Sequence, residues 1–161
     1  MISLLFVCLG NICRSPTAEG VFRATCQQRG LSGQFRIDSA GTAGWHVGKP
    51  PDTRGVAAAG RRGVDLSMLR ARQVEAGDFE NFDFILAMDE SNIEDLSALR
   101  PQGSSAHLHR FLEFNKSANS LDVPDPYYGG DDGFELVLDL ITQASEGFLD
   151  HLIATGYIES N

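Results

Sequence analysis

Hydrophobic and polar positions along this 161-residue chain change period several times, and each change predicts an element. Ile2 to Val7 is a short, nearly continuous apolar run, which reads as a buried strand. Ser15 and Pro16 then open a helix, since proline suits a first turn where its missing N–H is not needed. Ala18, Val21, Phe22 and Cys26 follow at helical spacing, so Cys26 points to the core and packs as a small hydrophobe. Gly30 ends that helix. Phe35 to Ala40 reads as a second strand, and Ala43 to Pro51 as a Gly/Pro-rich loop carrying Trp45 and His46. Asp52 caps a helix running through Ala57, Ala58 and Ala59 to Arg62. Arg61, Arg62, Arg70 and Arg72 have few acids opposite them in the sequence and read as a solvated face. Asp78 or Glu80 begins a short helical turn, and Phe82 to Met88 is a buried strand. Asp89 and its neighbours cap a helix over Ile93 to Leu99, and His107 to Phe111 is a fourth strand. Ala118 to Gly133 is a long loop containing Asp125-Pro126-Tyr127-Tyr128. In the last helix Leu136, Leu140, Ile141, Ala144, Phe148, Leu152 and Ile153 are assigned to one face.

Strands alternating with helices predict an α/β fold: a single-domain three-layer sandwich over residues 1–161, with a central four-stranded parallel sheet and helices on both faces. No internal repeat, low-complexity segment or linker interrupts it. In such sheets a ligand sits beyond the carboxyl ends of the strands, where Cys8, Ser39 and Asp89 fall.

Composition narrows the function classes. A formal net charge of −9 argues against nucleic acid or an anionic membrane as the main partner. Any anion site must then be built locally, from backbone dipoles and a few arginines. The three cysteines are unevenly spaced and do not suggest a secreted disulfide framework. The apolar start lacks a basic leader and a small-residue cleavage site, and no stretch approaches a membrane span. A reducing cytoplasm is the expected location. No cofactor is implied, and no ligand cluster has metal spacing. His46, His107, His109 and His151 are scattered and read as surface or packing residues.

The chemistry concentrates in Cys8-Leu9-Gly10-Asn11-Ile12-Cys13-Arg14-Ser15, between the first strand and the first helix. Five residues separate Cys8 from Arg14. A loop of this length can turn successive backbone N–H groups inward as a nest for a tetrahedral oxyanion, with the helix N-terminus behind it. Leu9, Gly10, Asn11, Ile12 and Cys13 form this loop. Arg14 can close the ring with a two-pronged contact to phosphate, and the same positive field favours the thiolate of Cys8, the nucleophilic form. Asn11 is expected in a left-handed backbone conformation. Ser15 can hydrogen-bond the Cys8 sulfur or the Asn11 side chain. Asp125, stiffened between Pro124 and Pro126, is the candidate acid for a leaving oxygen. Trp45, Tyr127 and Tyr128 would wall a deep, apolar-sided slot suited to an aromatic ring.

CLGNICRSPTAE, DSAGT, the Trp45 loop with Pro50-Pro51-Asp52, RARQ, DFENFDFILAMDESN and DVPDPYYGG together resemble the low-molecular-weight protein tyrosine phosphatases over most of the chain. The resemblance implies hydrolysis of phosphotyrosine-containing proteins through a phosphocysteine on Cys8, with Asp125 as general acid and base. It further implies that Ser39 holds the loop asparagine and that the chain is a monomer or weak homodimer. Cys13, sharing the loop with Cys8, is a candidate for redox regulation by disulfide formation. One departure stands out. The family commonly has a histidine just before RARQ, where this chain has Leu69. Asn11 must then rely on Ser15, Ser39 or water, and Ser39 is expected to matter more than usual.

Three other readings share the loop. Arsenate reductases relay a disulfide through further cysteines on mobile segments, whereas Cys26 lies on a core stripe. Phosphoarginine phosphatases resemble the same pattern but have threonine at the position of Ile12. A non-catalytic phosphate-binding or redox-sensing module would have no need of Cys8 and Asp125 together.

Overall fold

β1 (Ile2–Cys8) is an interior strand of a parallel sheet of order β2-β1-β3-β4, where β2 is Phe35–Gly41, β3 is Phe84–Ala87 and β4 is His107–Arg110. The computed structural model describes residues 1–160. The helices are α1 (Arg14–Gln28), α2 (Thr53–Arg61), α3 (Asp78–Asn81), α4 (Glu90–Leu99) and α5 (Asp131–Ala154). The order reverses direction between β1 and β3, so the switch point of the sheet lies where β1 ends, at Cys8.

Successive β1 side chains point to opposite faces, and both faces are covered. Leu4, Phe6 and Cys8 face α1, α2 and α5, in a core that includes Phe22, Ala58 and Phe148. Leu5 and Val7 face the other layer, with Phe79 of α3 and Leu96 of α4. Rings interlock in the larger core: Phe6 lies 5.7 Å from Phe22 and 5.0 Å from Phe111, and Phe148 lies 5.4 Å from Phe84. Each fully buried ring of this kind contributes about 1.5–3 kcal/mol through area removed from water. The three-layer sandwich and the four-stranded parallel sheet are as the alternation predicts.

α1 stops as its sequence suggests. Gly30 takes φ +69°, its N–H donates to Gln27 and the Leu31 N–H reaches back to Cys26 at 2.8 Å, closing the last turn. Cys26 is fully buried on the α1 face.

Three features differ from the sequence pattern. In α5 the buried stripe is Phe134, Val137, Leu138, Ile141, Ala144, Phe148, Leu149 and Leu152, while Leu136 is exposed and Leu140 and Ile153 are half-buried. A helix this rich in leucine offers overlapping stripes, and packing against α1 and the sheet chooses between them. The arginines are not a bare solvated face. Arg61 and Arg62 tie α2 to Glu135 of α5, with Asp139 also on Arg62, and Arg72 bridges Asp38 and Asp78. β3 is also shorter than the apolar run Phe82 to Met88, because only Phe84 to Ala87 find ladder partners on both sides.

Candidate active site

The loop after β1 folds back onto its own strand. Cys8 pairs with Gly41 across the sheet, and the Thr42 and Ala43 N–H groups donate to the carbonyls of Cys8 and Leu9. Gly41 permits this approach: a Cβ there would sit 2.8 Å from the Leu9 carbonyl oxygen and 3.1 Å from the Asn11 nitrogen. Asn11 takes φ +56°, the left-handed conformation expected of it. That reversal aims its N–H at the Cys8 sulfur, 3.3 Å away. α1 then starts with no side chain capping it, so its first N–H groups are left for another acceptor.

The Cys8 sulfur lies 3.0 Å from Ser15 Oγ, and both residues are buried. Asn11 Nδ2 donates to Ser15 Oγ at 2.8 Å and to Ser39 Oγ at 3.0 Å. Ser39 in turn donates to Glu19 Oε1 at 2.7 Å. Ser15 and Ser39 therefore both accept from the Asn11 side chain. Asn11 also has a partner the sequence did not suggest: its Oδ1 accepts the Arg72 backbone N–H at 3.0 Å. With both amide hydrogens and the carbonyl engaged, the missing histidine at Leu69 leaves no gap. Leu69 packs against the larger core instead.

Arg14 is almost wholly buried, its side chain 4% exposed. It donates to Asp89 Oδ2 at 2.6 Å and to the Val123 carbonyl at 3.0 Å, and it lies 3.7 Å from Asp125 Oδ2. Burial opposes its charge, but the negative charge available at Cys8, Asp89 and Asp125 outweighs burial and raises its pKa. Asp89 also caps α4, accepting from the Asn92 N–H at 2.8 Å. Its place at the end of β3 was legible, but its pairing with Arg14 was not, because the two lie 75 positions apart.

A cavity of about 270 Å³ opens above the loop, lined by Cys8, Leu9, Gly10, Ile12, Cys13, Arg14, Trp45, His46, Asp125, Tyr127 and Tyr128. The nucleophile and acid candidates thus share one hollow with the expected aromatic walls. The walls are less deep than expected: Trp45 is 71% and Tyr128 90% exposed, so they form a rim, with Tyr127 more covered. His46, read from the sequence as a surface or packing residue, belongs to the lining, with its ring 6.4 Å from that of Tyr127.

Asp125 sits on a segment with few backbone bonds of its own. Its Oδ1 accepts the Tyr127 N–H at 3.0 Å. Arg54 ties the segment down, donating to the carbonyls of Tyr127 and Gly129. Asp52 holds Arg54 by two side-chain hydrogen bonds, and the Asp52 N–H donates to the Ile12 carbonyl at 2.8 Å. A strut therefore runs from the cysteine loop through Asp52 and Arg54 to the Asp125 segment.

All three cysteines are free thiols. Burial, with Asp52, Cys8 and Asp125 nearby, pushes the Cys13 thiol up to about 12, and burial does the same to Cys26. Burial also raises the Glu19 carboxyl, against hydrogen bonds from Ser39 and Arg23. Among the described residues no cluster of His, Cys, Asp and Glu is placed to hold a metal ion, and no helix is long and apolar enough to cross a membrane.

Fold and loop define a doubly wound α/β protein with a cysteine-to-arginine loop at its switch point. Comparison with known proteins gives the family. The family model described as low molecular weight phosphotyrosine protein phosphatase matches residues 3–156. The low molecular weight protein-tyrosine-phosphatase YfkJ of Bacillus subtilis is 44% identical over 149 residues, covering 92% of this chain and 94% of that protein. A crystal structure of protein tyrosine phosphatase from Entamoeba histolytica superposes with a TM-score of 0.91 at 38% identity, covering 98% of this chain and all of that one. The Drosophila arginine phosphatase structure shares the fold at a TM-score of 0.85 and 32% identity, covering 92% of this chain and 96% of that one. The chain belongs to the low molecular weight phosphotyrosine protein phosphatase family, a family of phosphoric monoester hydrolases.

Proposed function

We propose that this protein hydrolyses phosphotyrosine in protein substrates through a phosphocysteine on Cys8. The observation that carries the reading is that Asp125 shares one cavity with Cys8 and Arg14, whose loop converges its asparagine N–H and serine hydroxyl on the Cys8 sulfur. In the first step the Cys8 thiolate attacks phosphorus. The bond from phosphorus to the phenolic oxygen breaks, and Asp125 gives its proton to that oxygen. In the second, the Asp125 carboxylate takes a proton from water as the water oxygen attacks phosphorus. The sulfur leaves as thiolate and inorganic phosphate is released. Arg14 and the loop N–H groups hold the equatorial oxygens through both steps. Arg14 arrives already aimed, because Asp89 and Val123 fix two of its directions.

The fold alone does not choose the substrate, since an arginine phosphatase shares it. The lining favours a phenyl ring. Ile12 offers no hydrogen bond, and Trp45, Tyr127 and Tyr128 present aromatic surface. Arsenate reduction is disfavoured by Cys26, which is fully buried on the core face of α1 and not offered on an exposed segment as a relay. The free thiols fit a reducing compartment such as the cytoplasm.

The test is turnover of matched phosphotyrosine, phosphoserine and phosphoarginine peptides, in the presence of a chelator. Phosphotyrosine should be hydrolysed fastest, and Cys8→Ser should abolish turnover while still binding phosphate. A phosphoarginine preference, or substantial turnover by Cys8→Ser, would overturn the reading.

A further inference from the structure

A second hollow, of about 470 Å³, adjoins the first and is lined by Leu9, Thr42, Ala43, Trp45, Gln73, Val74, Asp95 and Leu99. Leu9 and Trp45 line both hollows, so Trp45, largely exposed, stands as the partition between them. The body of the groove is apolar, from Leu9, Ala43, Val74, Leu99 and the Trp45 ring. Its one charge is Asp95, exposed on α4 one turn before Leu99. No cationic side chain lines it. Gln73 is occupied with the Thr42 carbonyl, while the Thr42 hydroxyl has no partner within the protein.

An apolar trough with a lone carboxylate complements a side chain that has a methylene stem and a cationic head. The groove shares Leu9 and Trp45 with the site that takes the phosphorylated residue, so the side chain belongs to the same substrate. We propose that this groove is a subsite for a lysine or arginine flanking the phosphotyrosine, with the stem against Leu9, Trp45 and Leu99 and the cation on Asp95. The proposal rests on the phosphotyrosine reading above and adds a preference for sequence. It also separates a specific contact from the general attraction of an acidic protein for basic peptides.

The experiment uses one parent phosphotyrosine peptide in which each flanking position is changed singly to arginine, norleucine or glutamate. kcat/KM is measured for the wild-type protein, Asp95→Asn, Asp95→Lys and Glu94→Gln. Glu94 is an exposed acid on the same helix that does not line the groove, so it reports net charge alone. At one flanking position arginine should exceed glutamate by about three- to fivefold, as an exposed ion pair allows. That preference should vanish in Asp95→Asn, reverse in Asp95→Lys and survive in Glu94→Gln. Turnover of p-nitrophenyl phosphate, which has no flanks, should be the same in all four proteins. A preference that persists in Asp95→Asn, or falls equally in Glu94→Gln, overturns the subsite. Equal turnover of all the peptides also overturns it and leaves the phosphotyrosine reading intact. No turnover of any phosphotyrosine peptide beside active turnover of p-nitrophenyl phosphate defeats the phosphotyrosine reading, and the subsite with it.

Discussion

The Arg72 backbone N–H donates to Asn11 Oδ1 at 3.0 Å, joining the residue that reverses the cysteine loop to a segment 61 positions away. Ser15 and Ser39 take the two amide hydrogens, so each polar atom of the Asn11 side chain already has a partner. Leu69→His should therefore bring no gain in turnover. It should instead cost about 1–3 kcal/mol of stability, because it sets a polar ring against the apolar core. Ser39→Ala should cost a similar amount, about 1–3 kcal/mol, and should lower turnover as well, since it strips a donor from buried Glu19 and an acceptor from Asn11. Urea unfolding and turnover of the two variants and their double mutant would check this. Restored turnover in the double mutant would show that position 69 does support Asn11.

Asp89 serves two masters, Arg14 and the start of α4. Asparagine caps a helix about as well as aspartate but carries no charge. Asp89→Asn should thus keep the cap, and any fall in its melting temperature reports the charge lost beside the buried Arg14. The same change should lower turnover at least tenfold by releasing Arg14 from its aim. Asp89→Ala should lose the cap as well, at about 1 kcal/mol. Equal melting temperatures for the two variants would show that the cap contributes nothing.

The strut through Arg54 predicts a leaving-group signature. Arg54→Met removes the two carbonyl contacts that hold the Asp125 segment. Misplacing Asp125 should slow phenyl phosphate by about tenfold to a hundredfold, with little effect on a nitrophenyl ester that leaves without help. Asp125→Ala should show the same pattern more strongly. A uniform loss across leaving groups in Arg54→Met would mark a general structural role.

Burial makes two of the three thiols unreactive near neutrality. Cys13 and Cys26 are pushed up to about 12 from an ordinary 9.0. A folded-state value raised in this way adds stability that is complete below pH 9.0 and is lost as pH rises through about 12. The urea midpoint of the wild type should therefore fall in that window more steeply than that of Cys13→Ala/Cys26→Ala. At pH 7.5 iodoacetamide should label Cys8 alone, as read by peptide mass.

The same protonated Cys13 bears on oxidation. The Cys8 thiolate would attack peroxide, the O–O bond breaking to give a sulfenic acid and hydroxide. The Cys13 sulfur could then displace the sulfenic hydroxyl to form a disulfide, the hydroxyl leaving as water with the Cys13 proton. Peroxide-treated protein should recover with dithiothreitol, and Cys13→Ser should recover less. The raised Cys13 value should make disulfide closure faster at high pH. Equal recovery of both proteins would leave Cys13 as a packing residue.

The sequence alone determined the elements and the cysteine loop. Those signals are local: apolar runs, a proline opening a helix, glycine closing it, and Cys8 and Arg14 bracketing five residues between a strand and a helix. Asn11 as the left-handed residue and Ser15 as its neighbour followed from the same short range. Tertiary structure decided what meets across distance. It paired Arg14 with Asp89, placed Glu19 under Ser39, turned Arg72 from an apparent surface charge into a bridge, and brought His46 to the cavity. It also chose the buried stripe of α5, where leucines at 136, 138 and 140 made more than one face plausible. Periodicity reports which side chains share a face of one element. Which elements face each other, and so which charges are left to pair, is set only when the sheet order and the packing of its two layers are fixed.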